Sequence, residues 1–146
     1  EQLPRIVVVE SAMSDCVFQS ISNQNLTMMH IVDETVMAGL SCGEVSRVVW
    51  PVLAKGVSHV VTIPDAGVRP MMRWLAHPAD ARRPSIEGGE CSAASAIALM
   101  AGCADHALGQ SLELDGNSTV LLLGTEGATD PEFYAQAMAG ADGKQN

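Results

Sequence analysis

The stretch Val120-Leu-Leu-Leu-Gly-Thr125-Glu-Gly-Ala-Thr-Asp-Pro131-Glu132 constrains this chain more than any other. In it an apolar run of the buried-strand type passes directly into a hydroxyl, turn-forming glycines and a helix start. The pattern predicts a strand over residues 119–123 and places Thr125 just past its tip, where open α/β sheets bind ligands. A plainer reading is also available. Gly124 and Gly127 would then only make a tight turn, with Thr129 or Asp130 capping the following helix and Pro131 at its first position. The residues alone leave the two readings open.

The rest of the chain follows the same alternation. Arg5-Ile-Val-Val-Val-Glu10 is a continuous β-branched run, which reads as a strand covered on both faces and hence part of a parallel sheet. Ser14-Asp15 can cap a short helix through Ser20, and residues 23–25 form a polar turn. Residues 44–54 read as a helix with Val45, Val48, Val49, Val52 and Leu53 inward, closed by Gly56 as a left-handed cap. Residues 57–63 form the second strand, and Pro64-Asp65 starts a helix through about Ala76. A polar loop over residues 77–87 leads to an Ala-rich helix, 92–103, then a helical piece at 105–112, the third strand and a last helix at 131–139. Helical segments between strands make crossover connections, so the fold class is α/β: a three-layer arrangement, parallel sheet with helices on both faces. Three strands make a thin sheet, which suggests that partner strands lie elsewhere.

With 146 residues, 47% of them hydrophobic, the chain can bury one real core. We therefore expect residues 1–146 to form a single α/β piece, part of a larger domain whose N-terminal portion is absent. A start at Glu1 rather than methionine agrees with an excised or trimmed piece. The net charge of −9 disfavours nucleic acid and anionic membrane surfaces, which need a concentrated positive patch. Cysteines 16, 42, 91 and 103 form no C-x-x-C pair and have no histidine at zinc-ligand spacing, so no metal site is expected. Buried free thiols in a reducing cytoplasm are the expected state. No leader and no membrane-length apolar run is visible.

Three segments carry a resemblance: Met37-Ala-Gly-Leu-Ser-Cys-Gly-Glu44, Gly88-Gly-Glu-Cys-Ser-Ala-Ala94 and the Val120–Glu132 stretch. In composition and order they resemble the C-terminal part of the diaminopropionate ammonia-lyases. These are fold type II pyridoxal-phosphate enzymes of the tryptophan-synthase-β and threonine-dehydratase superfamily. The resemblance runs over nearly all of residues 5–139 and implies pyridoxal 5'-phosphate as cofactor. It also implies α,β-elimination of 2,3-diaminopropionate to pyruvate and ammonia, a small amino-acid substrate, a homodimer and a cytoplasmic location. The remaining N-terminal part of the same enzyme would be this chain's partner. A related dehydratase or threonine synthase is the nearest alternative, and a cofactor-free regulatory or interaction module is another.

By the same resemblance, Thr125 is the hydroxyl that hydrogen-bonds the pyridine nitrogen of the cofactor. A hydroxyl there, unlike a carboxylate, does not hold the ring nitrogen protonated. Gly39 and Gly43 would bring backbone close to the planar ring, although ordinary loop glycines would look alike. Glu90 matches a glutamate opening a helix near the cofactor's far edge, a position that also suits the helix dipole. Gly88-Gly89 is too short a glycine run for a phosphate cradle, which in the family lies upstream of residues 6–9. The Schiff-base lysine has no counterpart, so no catalytic residue is assigned. Lys55 reads as a helix C-terminal charge and Lys144 as a solvated tail residue. The histidines at 30, 59, 77 and 106 have no nucleophile partner, so hydrolase chemistry finds no support.

Overall fold

The two β-branched runs pair as expected. In a computed structural model, which describes residues 4–140, β1 (Ile6–Ser11) and β2 (Val57–Ile63) form a two-stranded parallel sheet. Val9 lies opposite Val61 and Ser11 opposite Ile63, with an irregularity between Ile6 and Val7. The chain divides into two units, Glu1–Pro64 and Asp65–Asn146. The first holds the sheet, α1 (Cys16–Ser22), a 3-10 turn (Ala38–Leu40) and α2 (Trp50–Gly56). Helix α1 packs on both strands and α2 on β2. The architecture is thus α/β with a parallel sheet and helices.

Coverage of the sheet is uneven. Ile6 and Val7 are exposed, whereas Glu10, Ser11 and Ile63 at the C-terminal ends of the strands are buried. The Glu10 carboxylate accepts the Val17 and Phe18 backbone N–H groups, each at 2.9 Å. It thereby satisfies two of the donors that a helix start leaves without intrahelical partners. Asp15 stands at the cap position of α1 without a capping hydrogen bond and instead accepts Gln19 Nε2 at 2.9 Å. The expected Ser14-Asp15 cap is therefore replaced by a strand-end carboxylate. Burial raises the Glu10 carboxyl above its ordinary value, against the pull of these hydrogen bonds. Burial, reinforced by the Glu10 charge, pushes the Cys16 thiol up to about 11.

The second unit is helical: a 3-10 turn (Asp65–Gly67) leads into α3 (Val68–Ala76), followed by α4 (Glu90–Ala104), α5 (His106–Ser111) and α6 (Pro131–Met138). Small residues make α4 the packing centre, since Ala93, Ala94, Ala96, Ala98 and Gly102 are all buried. Helix α4 packs on α3 and α5, and α3 also meets α6. Arg73 Nη1 donates to the Ala137 carbonyl at 2.8 Å, and the Arg69 guanidinium lies 4.6 Å from the Phe133 ring centre. Asp130 caps α6 by accepting Phe133 N–H at 2.9 Å, and Asp105 caps α5 through Leu108 N–H at 2.9 Å.

Three expectations are corrected. Residues 119–123 form no strand: they carry the apolar pattern but pair with no strand among the described residues. A strand exists only where a neighbour supplies donors and acceptors, and here Leu121 is 83% exposed instead. The helix expected from residue 44 starts only at Trp50. Pro51 sits in its first turn, which a proline tolerates, whereas further inside it would break the hydrogen-bond ladder. Val45 is buried, but Val48 is 87% exposed and Val49 and Val52 are also open. Gly56 is the last residue of α2 rather than a left-handed cap. Val57 is already extended, because β2 begins there without a loop.

Replacing Glu10 with alanine should cost roughly 1–3 kcal/mol in a urea unfolding titration, the typical penalty for leaving buried donors unmet. Because the folded carboxyl holds its proton more tightly than the unfolded chain does, its contribution is complete below about 4.5 and shrinks as pH rises through the folded value. The advantage of the native residue over Glu10→Ala should therefore be greatest in acid. An advantage that grows with pH would contradict the assignment.

Candidate functional site

The first turn of α4 needs partners for its backbone donors, and it finds them far along the chain. Glu126 Oε2 accepts the Cys91 N–H at 2.7 Å, and the Glu126 carbonyl accepts the Gly89 N–H at 3.1 Å. Ser92 Oγ donates to that same carbonyl at 2.5 Å and accepts the Glu126 N–H at 3.0 Å. The segments 88–92 and 124–127 are thereby fastened together. Gly89 is required for this approach, since a Cβ at that position would overlap the Gly127 carbonyl oxygen and the Glu126 side chain.

Beside this junction lies a pocket of about 260 Å³. Leu75, Ile86 and Leu122 give it an apolar wall, Ser92 and Ser95 come from α4, and Gly124, Glu126 and Glu87 also line it. Complete small-molecule sites run to roughly 300–1,000 Å³, so this pocket can hold part of a ligand and leaves the rest to further walls. Thr125 stands between two of its lining residues and is itself exposed, so its hydroxyl is not sunk in solid packing. Glu90, the first residue of α4, is buried. Burial raises its carboxyl above the ordinary range, and the nearby charges of Glu126 and Asp130 add to the effect.

Of the four residues nominated from sequence, Thr125 and Glu90 therefore belong to one junction. Gly39 and Gly43 lie in the other unit. Gly39 is exposed within the 3-10 turn, and Met37 just before it is fully buried. Leu40, at the end of that turn, accepts Ser14 Oγ at 2.7 Å through its carbonyl. The Gly43 carbonyl accepts the Met29 N–H at 2.9 Å. A Cβ on Gly43 would come within 2.7 Å of the Met29 carbonyl oxygen, so the chain's own geometry already requires glycine there. Glu44 makes an exposed contact with Arg47 at 3.4 Å. Lys55 is exposed in the last turn of α2, and Lys144 lies outside the described residues.

Sequence reasoning passed over Ser92 and Glu126. Both stand inside the quoted motifs, but their partners are 34 and 35 positions away, so no local pattern marks them. Among the described residues, no group of three or more His, Cys, Asp or Glu could hold a metal ion, and no helix is long and apolar enough to cross a membrane. None of the four cysteines is in a disulfide; of the thiols expected to be buried, Cys16 is buried, Cys91 is half-buried, and Cys42 and Cys103 are exposed.

A family model described as "Pyridoxal-phosphate dependent enzyme" matches residues 1–126. The diaminopropionate ammonia-lyase of Salmonella typhimurium is 32% identical over 139 residues, which is 92% of this chain and 34% of that protein. The enzyme of the same name from Escherichia coli K12 is 29% identical over 136 residues, 90% of this chain and 34% of its own length. The chain thus spans about a third of the curated relatives it matches. Among solved structures, Escherichia coli diaminopropionate ammonia lyase in complex with an aminoacrylate-PLP azomethine reaction intermediate superposes with a TM-score of 0.81 at 26% identity. That match covers 94% of this chain and 35% of the other. A threonine deaminase from T.th. shares the fold, with a TM-score of 0.59 at 15% identity over 68% of this chain and 35% of its own.

Gly89→Ala should lower the melting temperature, because one segment must move to admit the methyl group. Forced overpacking of this kind costs about 1–3 kcal/mol. An unchanged melting temperature would show that the two segments are not held in contact.

Proposed function

The chain belongs to the pyridoxal-phosphate dependent enzymes, and from that premise we propose that it forms the C-terminal part of an ammonia-lyase that converts 2,3-diaminopropionate to pyruvate and ammonia. The observation that carries this reading is that two separated motifs, Gly88–Ala94 and Val120–Glu132, meet at one partly walled pocket lined by Gly124 and Glu126, the two chain neighbours of Thr125.

Pyridoxal phosphate, when bound, supplies a conjugated ring that stores the electron pair left when the α-proton departs. The pocket suits one edge of such a ring: its wall is largely apolar, and the glycine at position 124 keeps side-chain bulk away. Thr125 would hold the ring nitrogen through a neutral hydroxyl, which keeps the ring a moderate electron sink, enough for loss of a β-amine. Glu90 would lie near the far edge. By the resemblance, Gly39 and Gly43 would offer backbone to the ring. No residue of this chain is assigned to proton transfer, and the lysine that binds the cofactor would come from the remaining polypeptide.

Exposed apolar side chains support this division of labour. Leu121, Leu123 and Val48 are the kind of surface that a larger protein covers, and they argue against a free-standing module. We read residues 1–146 as a single piece of a larger cofactor-binding domain, inactive alone, and the complete enzyme as a homodimer. Four free thiols support a reducing, cytoplasmic setting. A dehydratase reading rests on likeness of fold alone.

The complete polypeptide should release pyruvate and ammonia from diaminopropionate in a cofactor-dependent way; turnover of serine or threonine in its place would move the assignment to the dehydratases. Thr125→Val should reduce that turnover and alter the bound-cofactor absorbance, and an unchanged spectrum and rate would remove Thr125 from the site. Borohydride treatment of the holoenzyme should leave residues 1–146 unlabelled. A stoichiometric adduct on Lys55 would overturn the proposal.

A further inference from the structure

Resting on the reading of Thr125 above, we propose that Ser92 is a positioning residue for cofactor recognition: it holds the 124–127 turn on the start of α4 and so sets where the Thr125 hydroxyl stands. The geometry is specific. Ser92 Oγ accepts the Glu126 N–H at 3.0 Å and donates to the Glu126 carbonyl at 2.5 Å. One hydroxyl can do both, since it carries one donor and two acceptor lone pairs.

The first of these bonds matters most for Thr125. The Glu126 N–H lies in the planar peptide unit that also contains the Thr125 Cα and carbonyl, so fixing that N–H fixes the plane from which the Thr125 side chain departs. The residue on the other side of Thr125 passes close to the same side chain, since a Cβ built on Gly124 would lie 3.3 Å from both Ser92 Cβ and Oγ. Ser92 therefore bears on both neighbours of the proposed ring-nitrogen partner. A serine in the first turn of a helix ordinarily bonds locally, within a few residues. This one is turned to a segment 34 positions away, and it lines the same pocket as Gly124 and Glu126.

The test uses the complete polypeptide in four forms, Ser92→Ala, Ser92→Thr, Thr125→Val and the Ser92→Ala/Thr125→Val double variant. The Kd for pyridoxal phosphate is measured by titrating each apoprotein. Ser92→Ala should weaken binding roughly tenfold, about the worth of one hydrogen bond. Ser92→Thr, which keeps the hydroxyl, should restore it. In the Thr125→Val background, Ser92→Ala should add nothing further, because a positioning residue has no effect once the group it positions is gone. Should Ser92→Ala not fold, Ser92→Cys, whose thiol is a weaker partner, carries the same expectation with a smaller loss.

An equal loss in both backgrounds would overturn the proposal, since Ser92 would then act on the fold and not through Thr125. If Thr125→Val weakens binding and Ser92→Ala does not, only the role of Ser92 falls. If Thr125→Val itself leaves the Kd unchanged, the assignment of Thr125 falls, and this inference with it.

Discussion

The helix start at residues 89–92 exposes backbone donors, two of which are taken up by Glu126 far along the chain, and the site depends on that link. Glu126 and Ser92 make the connection in both directions, backbone to side chain and side chain to backbone. That exchange holds a turn without regular secondary structure against a rigid helix. A hydroxyl carried on a free loop would sample many positions, whereas one carried on a loop fixed at the adjoining residue is already placed before any ligand arrives.

The first unit applies the same principle at its sheet. Glu10 ends β1 and closes the start of α1, so the buried polar groups gather at the C-terminal ends of the strands while the opposite ends stay open. In both units a carboxylate from outside the helix takes the part that a cap residue usually plays, seven and eight positions away for Glu10 and 35 for Glu126. Burial pushes the Glu10 carboxyl upward in spite of the helix donors it accepts, since the loss of hydration outweighs them.

Much of this was legible in the residues. Both β-branched runs became strands, Asp130, one of the two caps offered, caps the last helix, and the Ala-rich segment became the central helix of its unit. These features are decided within a few residues, by capping chemistry and side-chain shape. The misreadings have physical causes of another kind. Residues 119–123 have strand composition, but pairing depends on a neighbour that composition cannot supply. The valines from 45 to 52 suggested a helical face, and Pro51 set the true start. At the site, Thr125 and Glu90 were visible through the motifs, whereas Ser92 and Glu126 became visible only once the two segments met.

The exposed leucines and valines are the kind of surface that a larger protein covers, and the chain spans about a third of the length of its relatives. The most direct measurement is an experimental structure of the complete polypeptide with pyridoxal phosphate bound. The account predicts the Thr125 hydroxyl within about 3 Å of the ring nitrogen, with the Ser92–Glu126 bonds intact beside it. A ring nitrogen paired with a different residue, with Thr125 turned to solvent, would contradict it.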